Sequence, residues 1–126
     1  MRAWQRSDAV LALHHCPPAS IGPGSLHRGG TAGAACFLAA FQDGCRPADY
    51  TLSSFGVDTV HSLVFRVDRR NARCTVAVRE SFRVVPQQPR PGTSHSCLRI
   101  RRAGSDIVAD RCTPPGTISL TKLGPS

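Results

Sequence analysis

The segment from Cys97 to Cys112, CLRIRRAGSDIVADRC, constrains the fold of this chain more than any other. Two stretches of alternating character flank a turn at Ala103–Asp106, which predicts a β-hairpin. Its register places Cys97 opposite Cys112 and Arg99 opposite Asp110. Facing Cα atoms in an antiparallel pair lie about 4.5 to 5.5 Å apart, within reach of a disulfide. The predicted bond closes a loop of about 15 residues and contributes on the order of 3 kcal/mol.

Six cysteines in 126 residues favour an oxidising compartment, because disulfides persist there. No pair has the C-x-x-C spacing of zinc ribbons or thioredoxin-like redox sites. We therefore predict a secreted or cell-envelope protein, with a cytoplasmic location as the alternative. A second disulfide between Cys45 and Cys74 is expected if a helix packs across the sheet, which leaves Cys36 as a buried thiol. The sequence itself does not fix how Cys16, Cys36, Cys45 and Cys74 pair.

Alternating apolar and polar residues predict about five antiparallel strands and a short edge strand. They are Tyr50–Phe55, Val60–Val67, Cys74–Val85, Ser96–Arg102, Asp106–Cys112 and, at the edge, Thr117–Leu123. The segment Pro86–Gly92, PQQPRPG, is predicted to be a loop, because proline cannot donate to a ladder. If Val67 lies opposite Cys74, the apolar residues of the second and third strands share one face and His61 faces Glu80.

The segment Thr31–Gly44, TAGAACFLAAFQDG, predicts a helix. Thr31 is a candidate N-cap, Phe37 and Phe41 are one turn apart, and Gly44 suits the C′ position. The same residues also fit the apolar region of a secretory leader, because a basic pair precedes them. The helix is the favoured interpretation of the two.

The first thirty residues contain CPP, IGPGS and a Gly-Gly pair, each of which breaks regular structure. Residues 1–30 are therefore predicted to be a flexible, poorly ordered arm. Residues 31–123 are predicted to be a single α+β domain, followed by a tail at 124–126. In that domain one helix packs on a curved antiparallel sheet of about five strands.

Glu80 stands in an otherwise apolar alternate row of the strand Cys74–Val85. A carboxylate beside the imidazole of His61 on an apolar face is the kind of pair that acid–base catalysis uses. Two alternatives are structural. In the first, His61 and Glu80 form an ordinary ion pair at the solvent-exposed end of the sheet. In the second, a bulge turns Glu80 outward toward Arg79 or Arg83. The structural alternatives are favoured, and the catalytic pair is kept as a hypothesis.

Three segments carry a resemblance to a known superfamily: ACFLAAFQDGC, ARCTVAVRESFRVV and CLRIRRAGSDIVADRC. One helix followed by such strands resembles the nuclear-transport-factor-like or SnoaL-like superfamily and the related cystatin-like arrangement. That superfamily includes isomerases, dehydratases and cyclases with acid–base groups inside an apolar cone, and many members without catalysis. The resemblance implies His61 and Glu80 as the matching pair, with Tyr50 and Asp58 as neighbours.

A formal net charge of +8 makes an Arg-rich surface that binds nucleic acid or another polyanion one functional hypothesis. Against a nucleic-acid partner, nearly all of the basic residues are arginine, as in proteins from GC-rich genomes. The seven aromatic residues mostly lie in apolar patterns instead of alternating with bases as stacking platforms do. We therefore expect no nucleic-acid partner.

No metal or cofactor is expected. His14, His15 and Cys16, with His27 nearby, have no carboxylate close in sequence to orient them except Asp8. The chain contains no GxSxG, HExxH, Walker A or Rossmann glycine motif. Its longest apolar run is also too short to span a membrane.

The predicted function is a small, non-enzymatic, secreted or envelope-associated domain that binds an unknown protein or small ligand or acts as a structural accessory. The first alternative is a SnoaL-like acid–base enzyme of the isomerase or dehydratase type that uses His61 and Glu80. The second is an Arg-rich polyanion binder. The sequence leaves the ligand and the oligomeric state open.

Overall fold

The computed structural model describes residues 13–22 and 27–122 of the chain. Within these residues the backbone forms one helix, α1 (Ala32–Gln42), and nine strands. The strands are β1 (His14–His15), β2 (Ala19–Ile21), β3 (His27–Arg28), β4 (Ala48–Phe55), β5 (Thr59–Arg70), β6 (Arg73–Val84), β7 (Arg90–Ala103), β8 (Asp106–Thr113) and β9 (Ile118–Ser119). All nine belong to one sheet, so the predicted α+β fold with about five strands is wrong and the chain is mainly β.

The sheet has the strand order β3-β2-β4-β5-β6-β7-β8-β9, and β1 pairs separately with the start of β4. From β4 to β9 each strand pairs antiparallel with the next, as expected for sequential strands joined by short connections. β2 instead runs parallel to β4. Strands β1 to β3 come from the predicted flexible arm, so that prediction is wrong for residues 14–21 and 27–28. Residues 1–12 and 23–26 of the arm, and the predicted tail, lie outside the described residues.

A disulfide and the sheet together hold the N-terminal segment. Cys16 is bonded to Cys36 of α1, with 5.7 Å between the Cα atoms, so the prediction that Cys36 is a free thiol is wrong. The Cys16 N–H donates to the Asp49 carbonyl at 2.9 Å, and Ala19 of β2 is buried. Backbone pairing and the cross-link thus order a segment whose glycines and prolines suggested a loose arm.

Helix α1 buries one side against the sheet. The rings of Phe37 and Phe65 lie 6.1 Å apart, and Tyr50 stacks on Phe65 at 5.8 Å. Gly33 makes the closest approach, because a Cβ atom there would lie 1.8 Å from the Pro17 carbonyl oxygen and 2.5 Å from the Tyr50 ring. In the described part of the chain, no helix has the length and apolar character needed to cross a membrane.

The caps of α1 match the prediction at one end. Thr31 precedes the helix, but its side chain makes no capping hydrogen bond. Gly44 follows the helix with φ +75°, the left-handed conformation that favours glycine at this position. Next to it, Cys45 is bonded to Cys74 of β6, which fastens the end of the helix to the sheet.

Strands β5 and β6 meet at a two-residue turn, Asn71 and Ala72, both with positive φ as type I′ hairpins require. The turn pairs Val67 with Val76, whereas the sequence analysis placed Val67 opposite Cys74. The predicted register is therefore wrong by two residues. Because the side-chain period of a strand is two, each residue keeps its predicted face.

The β7–β8 hairpin has the predicted register, and the Cys97–Cys112 disulfide joins its two strands with 3.9 Å between the Cα atoms. Between the disulfide and the turn, Arg111 of β8 has φ +55° and interrupts the regular alternation of side chains. Ile100 and Ala109, each three residues from a buried cysteine, lie in the same core. The face of the hairpin that points to the core thus changes along its length.

The C-terminal segment closes the core at the far edge. β9 pairs with β8 over two residues, a shorter edge strand than the predicted Thr117–Leu123. Leu120 is fully buried, and its carbonyl oxygen accepts the Tyr50 hydroxyl at 2.9 Å. Asp106 accepts hydrogen bonds from the Ser119 and Thr121 hydroxyls, which fixes this segment against the hairpin.

Candidate functional site

Strands β5 and β6 bring His61 and Glu80 together near the end of the sheet. His61 Nε2 lies 2.7 Å from Glu80 Oε2. The two residues are diagonal neighbours, since His61 faces Phe82 and Glu80 faces Leu63. The His61 ring stacks on Phe82 with 4.4 Å between ring centroids and 7° between planes. The structure thus joins the predicted pair despite the shifted register.

The Glu80 carboxylate is already engaged at both oxygens. Oε2 contacts His61, and Oε1 accepts the backbone N–H of Thr93 in β7 at 3.2 Å. Gly92 lies so close that a Cβ atom there would be 2.8 Å from Oε1. The side chains of His61 and Glu80 are 27% and 23% exposed. This arrangement ties three strands together at the rim of the sheet, which a structural role explains.

The other residues considered for this pair lie elsewhere. Tyr50 is 1% exposed in the core, and Asp58 lies in the exposed β4–β5 turn. The register of β6 with β7 does shift between Arg79 and Ser81. Glu80 nevertheless contacts His61. The structure therefore does not surround the pair with the additional acid–base groups that the superfamily resemblance implies.

The N-terminal histidines His14 and His15 form strand β1 of the sheet. His14, Cys16 and Cys36 offer ligand atoms within 4.8 Å of one another, but both sulfurs belong to a disulfide and are not the thiolates that bind metals. His15 Nδ1 lies 2.8 Å from Asp49 Oδ1, across the β1–β4 pairing. The His27 side chain lies outside the described residues.

The outer face of the sheet, opposite the helix, carries a groove of about 420 Å³. Two cross-strand rows build it. One row aligns Val64, Arg79 and Ser94, and the next aligns Arg66, Ala77, Ser96 and Thr113. Alternation places these residues on the face away from the core, so guanidinium and hydroxyl groups surround a small apolar floor.

Positive charge dominates this groove. Within the described residues, neither Arg66 nor Arg79 forms an ion pair. Asp68 contributes a carboxylate at the edge, where its Oδ1 accepts the Arg69 N–H at 2.9 Å. Two guanidinium groups beside serine and threonine hydroxyls are suited to carboxylate, phosphate or sulfate oxygens.

A second group of arginines shares one carboxylate. Arg99 donates from Nε and Nη2 to the two oxygens of Asp110 at 2.8 and 2.7 Å, and Arg101 Nε donates at 2.8 Å. These hydrogen bonds, that from Arg99 first, outweigh burial and hold the pKa of the Asp110 carboxyl well below its usual range. These contacts join β7 to β8, and they engage both oxygens of Asp110, so this carboxylate is not available to a ligand.

The groove could not be predicted from the sequence. Arg66 and Arg79 were visible as polar members of alternating strands, but alternation predicts only that such residues face solvent. Ser94 lies before the predicted start of its strand, inside the observed β7. A clustering of hydroxyl and guanidinium groups across four strands becomes apparent only with the correct registers.

Comparison of the chain with protein-family profiles, with curated proteins and with solved structures finds no match. The resemblance to the nuclear-transport-factor-like superfamily therefore stays a hypothesis. The fold and its cross-links define a class: a small, mainly β domain with three disulfides. Three disulfides are compatible with an extracellular location.

Proposed function

We propose that the protein is a non-enzymatic, secreted or envelope-associated binding domain whose outer groove takes a small anionic ligand. The observation that carries this proposal is the pair Arg66 and Arg79, which flank the groove without ion-pair partners among the described residues. A volume of about 420 Å³ suits a small molecule or one or two units of a larger chain. Ser94, Ser96 and Thr113 add hydroxyl groups that hydrogen-bond to such a ligand.

Acid–base catalysis receives less support. The groove lining does not include His61 or Glu80, and both oxygens of that carboxylate hold hydrogen bonds within the sheet. The binding function uses two arginines that have no ion-pair partner among the described residues, whereas the enzymatic alternative uses a carboxylate and an imidazole that already contact each other, with the carboxylate also bonded to β7.

Calorimetry with sucrose octasulfate, a small polyanion, tests the proposal, and sucrose is the uncharged probe of the same skeleton. We expect binding of the sulfated probe and none of sucrose. The double variant Arg66→Gln, Arg79→Gln should bind at least about tenfold more weakly, because each charge-assisted hydrogen bond is worth 1.5 to 3 kcal/mol by rough estimate.

The control is the double variant Arg73→Gln, Arg102→Gln, which removes the same charge from exposed positions outside the groove. It should retain nearly the affinity of the unaltered protein. Equal weakening by both double variants would show a general charge effect and would refute a groove site. Equal binding of sucrose would refute the anionic class of ligand.

A further inference from the structure

Exposed apolar side chains are concentrated at one end of the sheet. The described residues include six exposed large hydrophobic side chains. Five of them form what we call the apolar end: Phe55, Val57, Phe82, Val84 and Val85. The sixth, Leu98, lies in the middle of β7. Single exposed apolar residues are ordinary, but five of them at one end of one sheet require an explanation.

Two neighbouring connections build the apolar end. Phe55 pairs with Val60 at the β4–β5 turn, and Thr59 pairs with Val84 at the end of β6. The Val85 N–H donates to the Asp58 carbonyl at 2.8 Å, which holds the two connections side by side. The whole group thus lies at one end of the sheet, where strands β4 to β6 turn or finish.

The helix does not cover this region. α1 contains 11 residues and spans about 16 Å, whereas the 12 residues of β5 span about 40 Å. The core side of β6 therefore continues beyond the helix to Phe82 and Val84, which are 46% and 48% exposed. Val57, at the tip of its turn, is 100% exposed.

Cationic side chains flank the apolar end. Arg90 lies opposite Phe82 across the β6–β7 pairing, and Arg83 precedes Val84 on the other face. Both are exposed, and neither has an ion-pair partner in the described ranges. Asp58 is the exposed acidic residue of the same end. Glu80 lies beside Phe82 as well, but its two oxygens are engaged by His61 and by the Thr93 N–H. Arg83 and Arg90 are therefore the cationic groups beside the apolar end that are available to an anionic partner.

We propose that the apolar end docks on an anionic phospholipid surface. Apolar tip residues enter the interface between headgroups and acyl chains, while arginines beside them bind the lipid phosphates. The fully exposed Val57 favours a membrane over a folded partner, because a protruding tip inserts into a fluid interface without needing a complementary pocket. The apolar end shares no residue with the outer groove, so this inference does not depend on the proposed ligand.

Vesicle co-sedimentation of the full, oxidised chain tests the proposal. We expect binding to vesicles of phosphatidylcholine and phosphatidylglycerol in equal amounts, weaker binding as salt is raised, and little binding to phosphatidylcholine alone. Val57→Asp should weaken binding about tenfold or more, since it places a charge at the inserted tip. Arg83→Gln with Arg90→Gln should weaken binding by a similar factor.

The double variant Arg73→Gln, Arg102→Gln is the matched control, because both residues lie at the opposite end of the long strands. It should bind these vesicles within about twofold of the unaltered protein. An equal loss in this control, or no effect of Val57→Asp, overturns the proposal. Self-association that Val57→Asp abolishes, without vesicle binding, also overturns it and assigns the apolar end to a protein partner.

Discussion

Alkaline titration tests whether the Tyr50 hydroxyl is buried in the core. Tyr50 is the single tyrosine of the chain, so the absorbance of tyrosinate reports this residue alone. Its ring packs between Phe65 and the helix, and its hydroxyl donates to the Leu120 carbonyl. Burial raises the pKa of Tyr50 from about 10 to about 12, because the charged phenolate would lose its hydration.

The sign of the pH effect follows from the direction of this shift. A raised pKa means that the folded state keeps the neutral hydroxyl while the unfolded chain ionises. The contribution of Tyr50 is fully present below pH 10 and is lost as the pH rises through about 12. Two pKa units correspond to at most about 3 kcal/mol, a substantial fraction of the stability of a small domain.

The measurement is absorbance near the tyrosinate band against pH, with far-ultraviolet circular dichroism to follow folding. We expect no tyrosinate near pH 10, and its appearance together with the loss of sheet structure at higher pH. Tyr50→Phe should remove the absorbance change and destabilise the protein at neutral pH by about 1 kcal/mol, because the Leu120 carbonyl loses its donor. Tyrosinate formation near pH 10 in a chain with intact sheet structure would refute the burial of Tyr50.

Two further predictions concern single contacts. Gly33→Ala should destabilise the protein by about 2 kcal/mol in urea unfolding, because the added Cβ atom meets the Pro17 carbonyl oxygen. Alanine otherwise favours a helix, so an unchanged or raised unfolding midpoint would contradict the close approach. The lowered pKa of Asp110 stabilises the fold above the pKa of an unfolded aspartate, about 3.9, and this contribution disappears as the pH falls below that value. Asp110→Asn should therefore flatten the acid side of the stability profile, measured by urea unfolding at a series of pH values. A profile that stays as steep as that of the unaltered protein would contradict the Arg99–Asp110 account.

The hairpin of β7 and β8 was predictable because its determinants are local. A turn containing Gly104, with φ +65°, and two cysteines at symmetric distances define one register. The consequences of Arg111 were not predictable in the same way. A left-handed arginine interrupts the alternation, and nothing in the residue type indicates that conformation. Period-two alternation alone would give the hairpin one constant inner face, which the structure does not have.

The β5–β6 register shows how a wrong detail left a correct juxtaposition. The turn at Asn71 and Ala72 requires a positive φ at an alanine, which costs roughly 1 to 2 kcal/mol and is not expected from sequence. The two-residue error made Glu80 the facing partner of His61, a position that Phe82 occupies in the structure. Each residue still lies on its predicted face, because a shift of two residues preserves the alternation. The side chains of His61 and Glu80 are long enough to meet across the diagonal, with 2.7 Å between Nε2 and Oε2.

The start of β7 explains why neither candidate surface was predicted. Proline is excluded from central strands because it cannot donate to a second neighbour, and this argument made Pro86–Gly92 a loop. Pairing of β7 with β8 begins only at Ser96, so Pro91 lies where β7 has β6 as its neighbour and no donor is needed on the other side. Extending β7 to Arg90 places that guanidinium at the apolar end and brings Ser94 beside Arg79 in the groove. Whether proline ends a strand thus depends on the length of the next strand, which lies beyond any local pattern.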